Sequence, residues 1–316
     1  MRIVFFGTSS FAARILTSLI ENHHQVQAIV TRPDREKGRR LQSSSPPVKE
    51  TASRICPEIP VFQPEKASAP EFAEILKQFR ADLFVVVAYG EIIKKNLLEM
   101  PALGCINIHA SLLPKFRGAA PIQRSLMEGE KETGITIIEM SPQMDAGDVI
   151  AIESLPISEE MTFGELEPKL CDLSIRLLFS VIKNFESSQI VKVPQEHSLA
   201  TLAPKIIPSE EIINWMQPAY KIHNQIRGLS PSPCAWCQIA IDQDLKRLKI
   251  KKAKIVKGIN AVPGSIVTFG KEGWVIGCGQ DALRLLEVQL EGKKPMSAED
   301  CIRGIHGTVK IVPHCV

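Results

Sequence analysis

The sequence predicts an α/β protein: a doubly wound parallel sheet, followed by a smaller domain of short strands that forms a β-barrel. Three observations predict it. Short apolar runs alternate with stretches of helical periodicity; the first run ends at a glycine leading straight into a helix; and beyond about Glu210 the texture changes to brief strands between Gly and Pro turns.

The elements follow in order. Ile3 to Phe6 is an apolar run stopped by Gly7, and Phe11, Ala12, Ile15, Leu16, Leu19 and Ile20 recur at helical spacing, so the chain opens strand, turn, helix. Val26 to Val30 is a second strand. Val61 and Phe62, Leu83 to Ala88, and Cys105 to Ile108 are further buried strands, with helical segments such as Ala69 to Phe79 between them. Parallel strands need crossover connections, which place helices on both faces of the sheet. Phe163, Leu166, Leu170, Leu173 and Leu177 mark one long amphipathic helix, and the polar stretch from Ser187 to Pro208 carries few helix signals. The expected division is therefore a first domain at 1–186, a linker at 187–209 and a second domain at 210–316. The stretches "RLKIKKAKIV", "GSIVTFG", "GWVIGCG" and "ALRLLEVQL" supply the strands of the barrel.

Composition excludes several classes. A chain of 316 residues, 44% hydrophobic and 23% charged, suits a two-domain globular protein and argues against disorder. Its net charge of +3 is too mild to announce nucleic-acid binding, so any basic signal has to be local. No apolar run approaches the roughly 18 to 20 residues of a membrane helix, and "MRIVFFGTSSFAARIL" breaks at Gly7 without a cleavage-site pattern. A cytoplasmic protein is expected, with no membrane contact and no obligate protein partner. Eight scattered cysteines then read as reduced thiols.

Two cofactor signals are weak. The turn "GTSSFA" is Rossmann-like in its strand-to-helix placement but lacks the second and third glycines of the dinucleotide fingerprint, and the second strand ends without an acid for a ribose, so no nicotinamide is expected. Cys234 and Cys237 in "PCAWC" have zinc-site spacing, and Cys56 in "CPE" could supply the rest of a deaminase signature. Those halves fall in different predicted domains and no second CxxC exists, so no metal is expected and the cysteines read as small buried hydrophobes.

The informative stretch is "GCINIHASLLPKFRGAAPIQRSL". On a strand, Ile106 and Ile108 point into packing while Asn107 and His109 share the other face, with Ser111 at the start of the following loop. Ligands of open parallel sheets sit beyond the carboxyl ends of the strands, where this pair falls. Taken alone, the pair favours the structural reading, with Asn107 as a loop cap and His109 as a satisfied structural histidine. "TGITIIEMSPQMDAGDVI" then runs a strand into a loop carrying Asp145, Gly147 and Asp148. An amide and an imidazole aimed at a developing oxyanion, with a carboxylate to orient the ring or relay a proton, make a site for acyl chemistry.

Asn107-x-His109, Ser111-Leu112-Leu113-Pro114, Arg117-Gly118 and Asp145-x-Gly147-Asp148 together resemble the folate-dependent formyltransferase superfamily. "VTRPDREKGRR", "VVVAYGEII", "RGAAPIQRSL", "INWMQPAYKIHNQIRG" and "EGKKPMSAEDCI" extend the resemblance over nearly the whole chain, toward the members that formylate methionyl-tRNA. The resemblance implies 10-formyltetrahydrofolate as co-substrate and methionyl initiator tRNA as acceptor. It implies Asn107, His109 and Asp145 as catalytic residues, and Ser111, Leu112, Leu113 and Pro114 as part of the folate pocket.

Two basic features bear on the tRNA. Arg32, Arg35, Lys37, Arg39 and Arg40 outnumber Asp34 and Glu36 in a loop after the second strand. Alone, that is a solvated loop; in the family the loop contacts the acceptor end of the tRNA, which carries over to Arg39 and its neighbour Arg40. Lys246 to Lys257 holds seven basic residues and no acid, with Arg247, Lys249 and Lys251 alternating with Leu248 and Ile250. A strand there shows one cationic and one buried face, which suits either a lysine-protected edge or, with the resemblance, a phosphate-tracking surface on an OB-like barrel. A 10-formyltetrahydrofolate hydrolase, an amino-sugar formyltransferase and a catalytically silent RNA-binding homologue remain as alternatives. The basic loop and strand argue against the first two, and the intact Asn107, His109 and Asp145 against the third.

Overall fold

The computed structural model describes residues 1–37, 42–270 and 273–312. In chain order the elements are β1 (Arg2–Gly7), α1 (Ser10–Glu21), β2 (Gln25–Val30), β3 (Arg35–Lys37), β4 (Gln42–Ser44), α2 (Pro47–Ile55), β5 (Val61–Phe62), α3 (Pro70–Lys77), β6 (Leu83–Val87), α4 (Lys95–Leu98), β7 (Cys105–His109) and α5 (Pro121–Glu128). There follow β8 (Glu132–Glu139), β9 (Val149–Pro156), α6 (Phe163–Glu186), α7 (Ala219–Leu229), β10 (Ala235–Ile241), β11 (Asp244–Val256), β12 (Ile266–Gly270), β13 (Gly273–Gly277), β14 (Ala282–Leu290), β15 (Met296–Ser297), α8 (Ala298–Arg303) and β16 (Val309–Val312). Two compact units result: Met1–Pro121 with Thr133–Leu155 and Glu167–Pro204, and Ile122–Glu132 with Pro156–Leu166 and the chain from Lys205 onward.

The first unit is built on a seven-stranded sheet in the order β5-β2-β1-β6-β7-β8-β9. β5, β2, β1, β6 and β7 run parallel. β8 joins β7 antiparallel, a departure from the expected parallel sheet that is common at the side of such sheets. The chain winds outward from β1 to β5 and resumes at β6 on the other flank of β1, so the strand order reverses between β1 and β6. Ile3, Val4, Phe5 and Phe6 are all fully buried, which is why β1 is an unbroken apolar run and not an alternating one. Phe6 meets Phe84 and Tyr89 at ring-centroid distances of 5.2 and 5.5 Å, a cluster whose truncation at Phe6 to alanine costs about 3–5 kcal/mol.

The first turn shows why one glycine suffices there. Ser9 caps α1 by accepting from the Ala12 amide, and a Cβ on Gly7 would lie 2.7 Å from the Phe5 ring and 2.8 Å from the Ala12 Cβ. Gly7 serves the close approach of helix and strand.

The polar stretch expected as a linker is divided between the units. Residues 187–204 group with the first, where Val193 bridges to Val149 and Gln195 is 7% exposed, and the chain from Lys205 groups with the second. The second unit carries an antiparallel sheet in the order β12-β13-β14-β11-β10-β16, with β15 on β14, curved into a nearly closed barrel. Trp274, Leu248, Ile250, Leu283 and Val288 fill it, and α7 contributes Ile222, Ile226 and Leu229 to the same core. Among the described residues no helix is long and apolar enough to cross a membrane.

Candidate active site

Asn107 and His109 stand at the carboxyl end of β7, on the face opposite Ile106 and Ile108, as the strand period requires. His109 is 5% exposed, and its Nε2 lies 2.8 Å from the carbonyl oxygen of Phe116. A carbonyl can only accept, so Nε2 carries a proton and donates. Nδ1 faces Asp145 Oδ2 at 3.6 Å, beyond hydrogen-bond length. The same carboxylate accepts the Gly118 amide at Oδ2 (2.8 Å) and Asn107 Nδ2 at Oδ1 (3.3 Å). Asp145 is thus where the three expected residues meet. The second amide hydrogen of Asn107 has no partner among the described residues.

The backbone around this carboxylate is under tension. Asp145 (φ 50°) and Phe116 (φ 60°) are non-glycine residues in the left-handed region, a conformation that costs roughly 1–3 kcal/mol and persists only where its surroundings fix it. Gly147 explains the glycine of the Asp-x-Gly-Asp pattern, because a Cβ there would run into the carbonyl oxygen of Glu139. The loop therefore folds back onto the end of β8.

The loop after β7 divides its expected folate contacts into two kinds. Ser111 is fully buried: its hydroxyl donates to the Lys115 carbonyl (2.7 Å), and its carbonyl accepts from Thr136 Oγ1 (2.7 Å). Thr136 Oγ1 in turn accepts the Leu113 amide (3.1 Å), and Leu113 is 5% exposed. Ser111 and Leu113 pin the loop from inside. Leu112 and Pro114 are half-buried and keep part of their surface exposed. A depression of about 360 Å³ is lined by residues 139–143 and 146–148, the end of β8 and the loop after it, without Asn107, His109 or Asp145 in its wall. One further residue, and its link to the Arg117 of the Arg-Gly motif, escape the sequence reasoning. Gln195 donates to the carbonyls of Asp145 and Gly147, and Arg117 donates to Gln195. Gln195 sits in an irregular polar stretch 50 positions beyond Asp145, where no local pattern marks it.

The basic features are placed unevenly. Arg39 and Arg40 lie outside the described residues. Arg32 is paired at 2.8 Å with the half-buried Glu91, so it serves the fold. Asp34 accepts from Gln63 and Lys49, which hold its carboxyl below the ordinary carboxylate range. On β11, Leu248 and Ile250 are fully buried while Arg247 is exposed and Lys249 and Lys251 half-exposed, so the predicted alternation is present. The Arg247 guanidinium stacks 4.0 Å from the centre of the Trp236 ring. Lys249 and Lys251 each donate one hydrogen bond to a backbone carbonyl, of Pro233 (3.0 Å) and Pro231 (3.4 Å), leaving further ammonium hydrogens to solvent. Cys234 and Cys237 are buried free thiols, the latter pushed up to about 12 by burial. Among the described residues no group of three His, Cys, Asp or Glu could hold a metal.

The sequence matches the formyl transferase family over residues 1–182 and the formyl transferase C-terminal domain over residues 205–306. It is 48% identical over 305 residues to the methionyl-tRNA formyltransferase of Protochlamydia amoebophila, covering 96% of this chain and 95% of that one. Against the Bacillus subtilis protein of the same name the figures are 42% over 306 residues, 96% and 95%. Among solved structures, the sugar 3N-formyl transferase WlaRD has a TM-score of 0.68 at 17% identity, over 93% of this chain and 99% of that one. HypX from Aquifex aeolicus, in complex with tetrahydrofolic acid, has a TM-score of 0.64 at 17% identity, over 98% of this chain but only 48% of its own. At that identity the structural likeness speaks to the fold alone. The chain belongs to the formyl transferase family, among its methionyl-tRNA formyltransferases.

Proposed function

We propose that this chain transfers the formyl group of 10-formyltetrahydrofolate to the amino group of methionyl initiator tRNA in the cytoplasm, with Asn107, His109 and Asp145 as the reacting site. The observation that carries the site is the convergence of Asn107 Nδ2, His109 Nδ1 and the Gly118 amide on one carboxylate at the end of β7. The methionyl amine is already a competent nucleophile once neutral and positioned, so no covalent enzyme intermediate is needed. It attacks the formyl carbon, the carbonyl electrons pass to oxygen, and collapse of the tetrahedral oxyanion expels the donor's nitrogen.

Asn107 donates its unpartnered amide hydrogen to that oxyanion. Asp145 takes the amine proton, directly or through water, and the proton leaves on the folate nitrogen. His109 becomes a second oxyanion donor only by exchanging the Phe116 carbonyl for the oxyanion at Nε2. Catalytic hydrogen bonds often realign when substrate arrives, so this exchange is a step the reaction can include.

In this reading, Ser111 to Pro114 shape the folate pocket, Ser111 and Leu113 from within and Leu112 and Pro114 at its surface. Residues 1–186 carry the chemistry, and 210–316, joined through 187–209, carry the tRNA-binding barrel. Arg39 and Arg40 meet the acceptor end, and Arg247, Lys249 and Lys251 track the backbone phosphates. The test is formyl transfer from 10-formyltetrahydrofolate to methionyl initiator tRNA, beside uncharged tRNA and no tRNA, following formyl-methionine and formate together. Formyl-methionine on charged tRNA alone is the expected result. Formate released without an acceptor would give the site to water instead.

A further inference from the structure

We propose that Gln195 is a positioning residue for the reaction, acting with Arg117 as a clamp that fixes the Asp145 carboxylate. The proposal rests on Asp145 belonging to the reacting site. A primary amide has two donor hydrogens and two acceptor lone pairs, and Gln195 uses all four while 7% exposed. Nε2 donates to the carbonyls of Asp145 (2.9 Å) and Gly147 (2.7 Å); Oε1 accepts from Arg117 Nε (3.2 Å) and Nη2 (2.7 Å). Arg117 is itself held: Nη2 also donates to His197 Nδ1 (2.9 Å), its amide donates to Thr201 O (2.8 Å), and its carbonyl accepts from Ala203 (2.7 Å).

These contacts close a ring. The Asp145 carboxylate holds the Gly118 amide, Gly118 follows Arg117 in the chain, Arg117 holds Gln195, and Gln195 holds the Asp145 carbonyl. Asp145 is therefore gripped at both its side chain and its main chain, which is what a residue at φ 50° requires to stay there. Without the Gln195 donors, two carbonyls in a nearly closed space lose their partners, and the inexpensive relaxation is rotation of the strained peptide. That rotation swings the carboxylate away from Asn107 and His109. A misplacement of about 1 Å at a reacting group can cost on the order of 100-fold in rate.

Gln195→Glu separates clamp from packing. It keeps nearly the same shape and an acceptor for Arg117, but turns the two donor contacts into repulsions against carbonyls. The experiment measures kcat and KM of formyl transfer, with Tm, for Gln195→Glu, Gln195→Ala, Arg117→Lys, Asp145→Ala and the Gln195→Ala/Asp145→Ala double variant. A fall in kcat of roughly 10- to 100-fold for Gln195→Glu is expected, with both KM values little changed. The double variant is expected to be no slower than Asp145→Ala alone, because a residue acting through Asp145 has nothing left to act on.

Full kcat in Gln195→Glu, or losses that multiply in the double variant, would overturn the clamp. Should the Gln195 variants not fold, Arg117→Lys decides: it keeps the charge but loses the two-pronged hold, and unchanged kcat would sink the idea. If Asp145→Ala transfers formyl at the parental rate, the reading of the site fails and takes the clamp with it. If Asp145→Ala is inactive while Gln195→Glu keeps full kcat, the clamp alone fails.

Discussion

Asn107 and Lys249 stand on strands of the same alternating geometry, each flanked by buried aliphatics, yet the two sites are built in opposite ways. Around Asn107 the Asp145 carboxylate gathers the Asn107 and Gly118 donors, His109 is held by the Phe116 carbonyl, and two residues hold left-handed backbone. Around Lys249 the cations stand half-exposed, tethered by one carbonyl each, with Arg247 resting on Trp236. The difference follows from what each surface has to do. An oxyanion exists at one point in space, so its donor must be preorganised to a fraction of an ångström. A phosphate backbone is a line of charge, and cations on flexible stems can follow it without fixed geometry. If this contrast is right, substitutions in the two regions change different kinetic quantities and differ greatly in size.

The largest effect is expected at Asn107. Asn107→Ala removes a donor hydrogen that has no partner among the described residues and lowers the single-turnover rate by roughly 100- to 1,000-fold, with folding intact because the side chain is only half-buried. A loss under about tenfold would take the oxyanion role away from it. Next comes the pair Lys249→Ala/Lys251→Ala on β11. It should raise KM for the tRNA several-fold at low salt, and lower the slope of log affinity against log salt by about one per lost phosphate contact. Equal salt slopes for variant and parent would reduce these lysines to a solvated face of β11, which is paired on both sides and is no edge. Arg247→Ala is a smaller step of the same kind, about one unit of slope, with near-UV circular dichroism reporting the loss of the guanidinium from the face of Trp236.

The contrast also governs what could be inferred from residues alone. β1, β2, β6 and β7 were legible because strands covered on both faces become continuous apolar runs, and the β11 face because it alternates cleanly. The convergence of Asn107, His109 and Asp145 follows from strand period and strand end. α7 carries the same helical signal in Ala219, Ile222, Ile226 and Leu229, but it stands alone in a region otherwise rich in short strands and turns, and that texture masked it. β10 escaped because Cys234 and Cys237 drew attention as a ligand pattern, whereas Ala235, Cys237 and Ile239 form its inward face. The engagement of His109 with the Phe116 carbonyl, the burial of Ser111 and the grip of Gln195 depend on how irregular loops meet across 4 to 78 residues of chain. Loop paths are set by tertiary hydrogen bonds, and no short-range period encodes them.

The smallest expected effect lies at the opposite end of β1 and sets the boundary of the functional region. Arg2 donates to Asp82 through Nη2 (2.8 Å), Nε (3.3 Å) and its backbone amide (2.7 Å), and these bonds, the side-chain ones foremost, bring the Asp82 carboxyl down to about 2. A carboxyl depressed in the folded state adds stability that is fully present above its ordinary value near 4 and disappears as pH falls through about 2. Asp82→Asn should therefore flatten the dependence of unfolding free energy on pH across that acid window, measured by denaturant titration at several pH values. Because this pair ties β1 to the start of β6 at the amino ends of the strands, the variant should transfer formyl at the parental rate near neutral pH. Loss of activity there without loss of stability would mean that the chemistry reaches beyond the carboxyl edge of the sheet, and the division between a rigid reacting edge and a supporting frame would have to be redrawn.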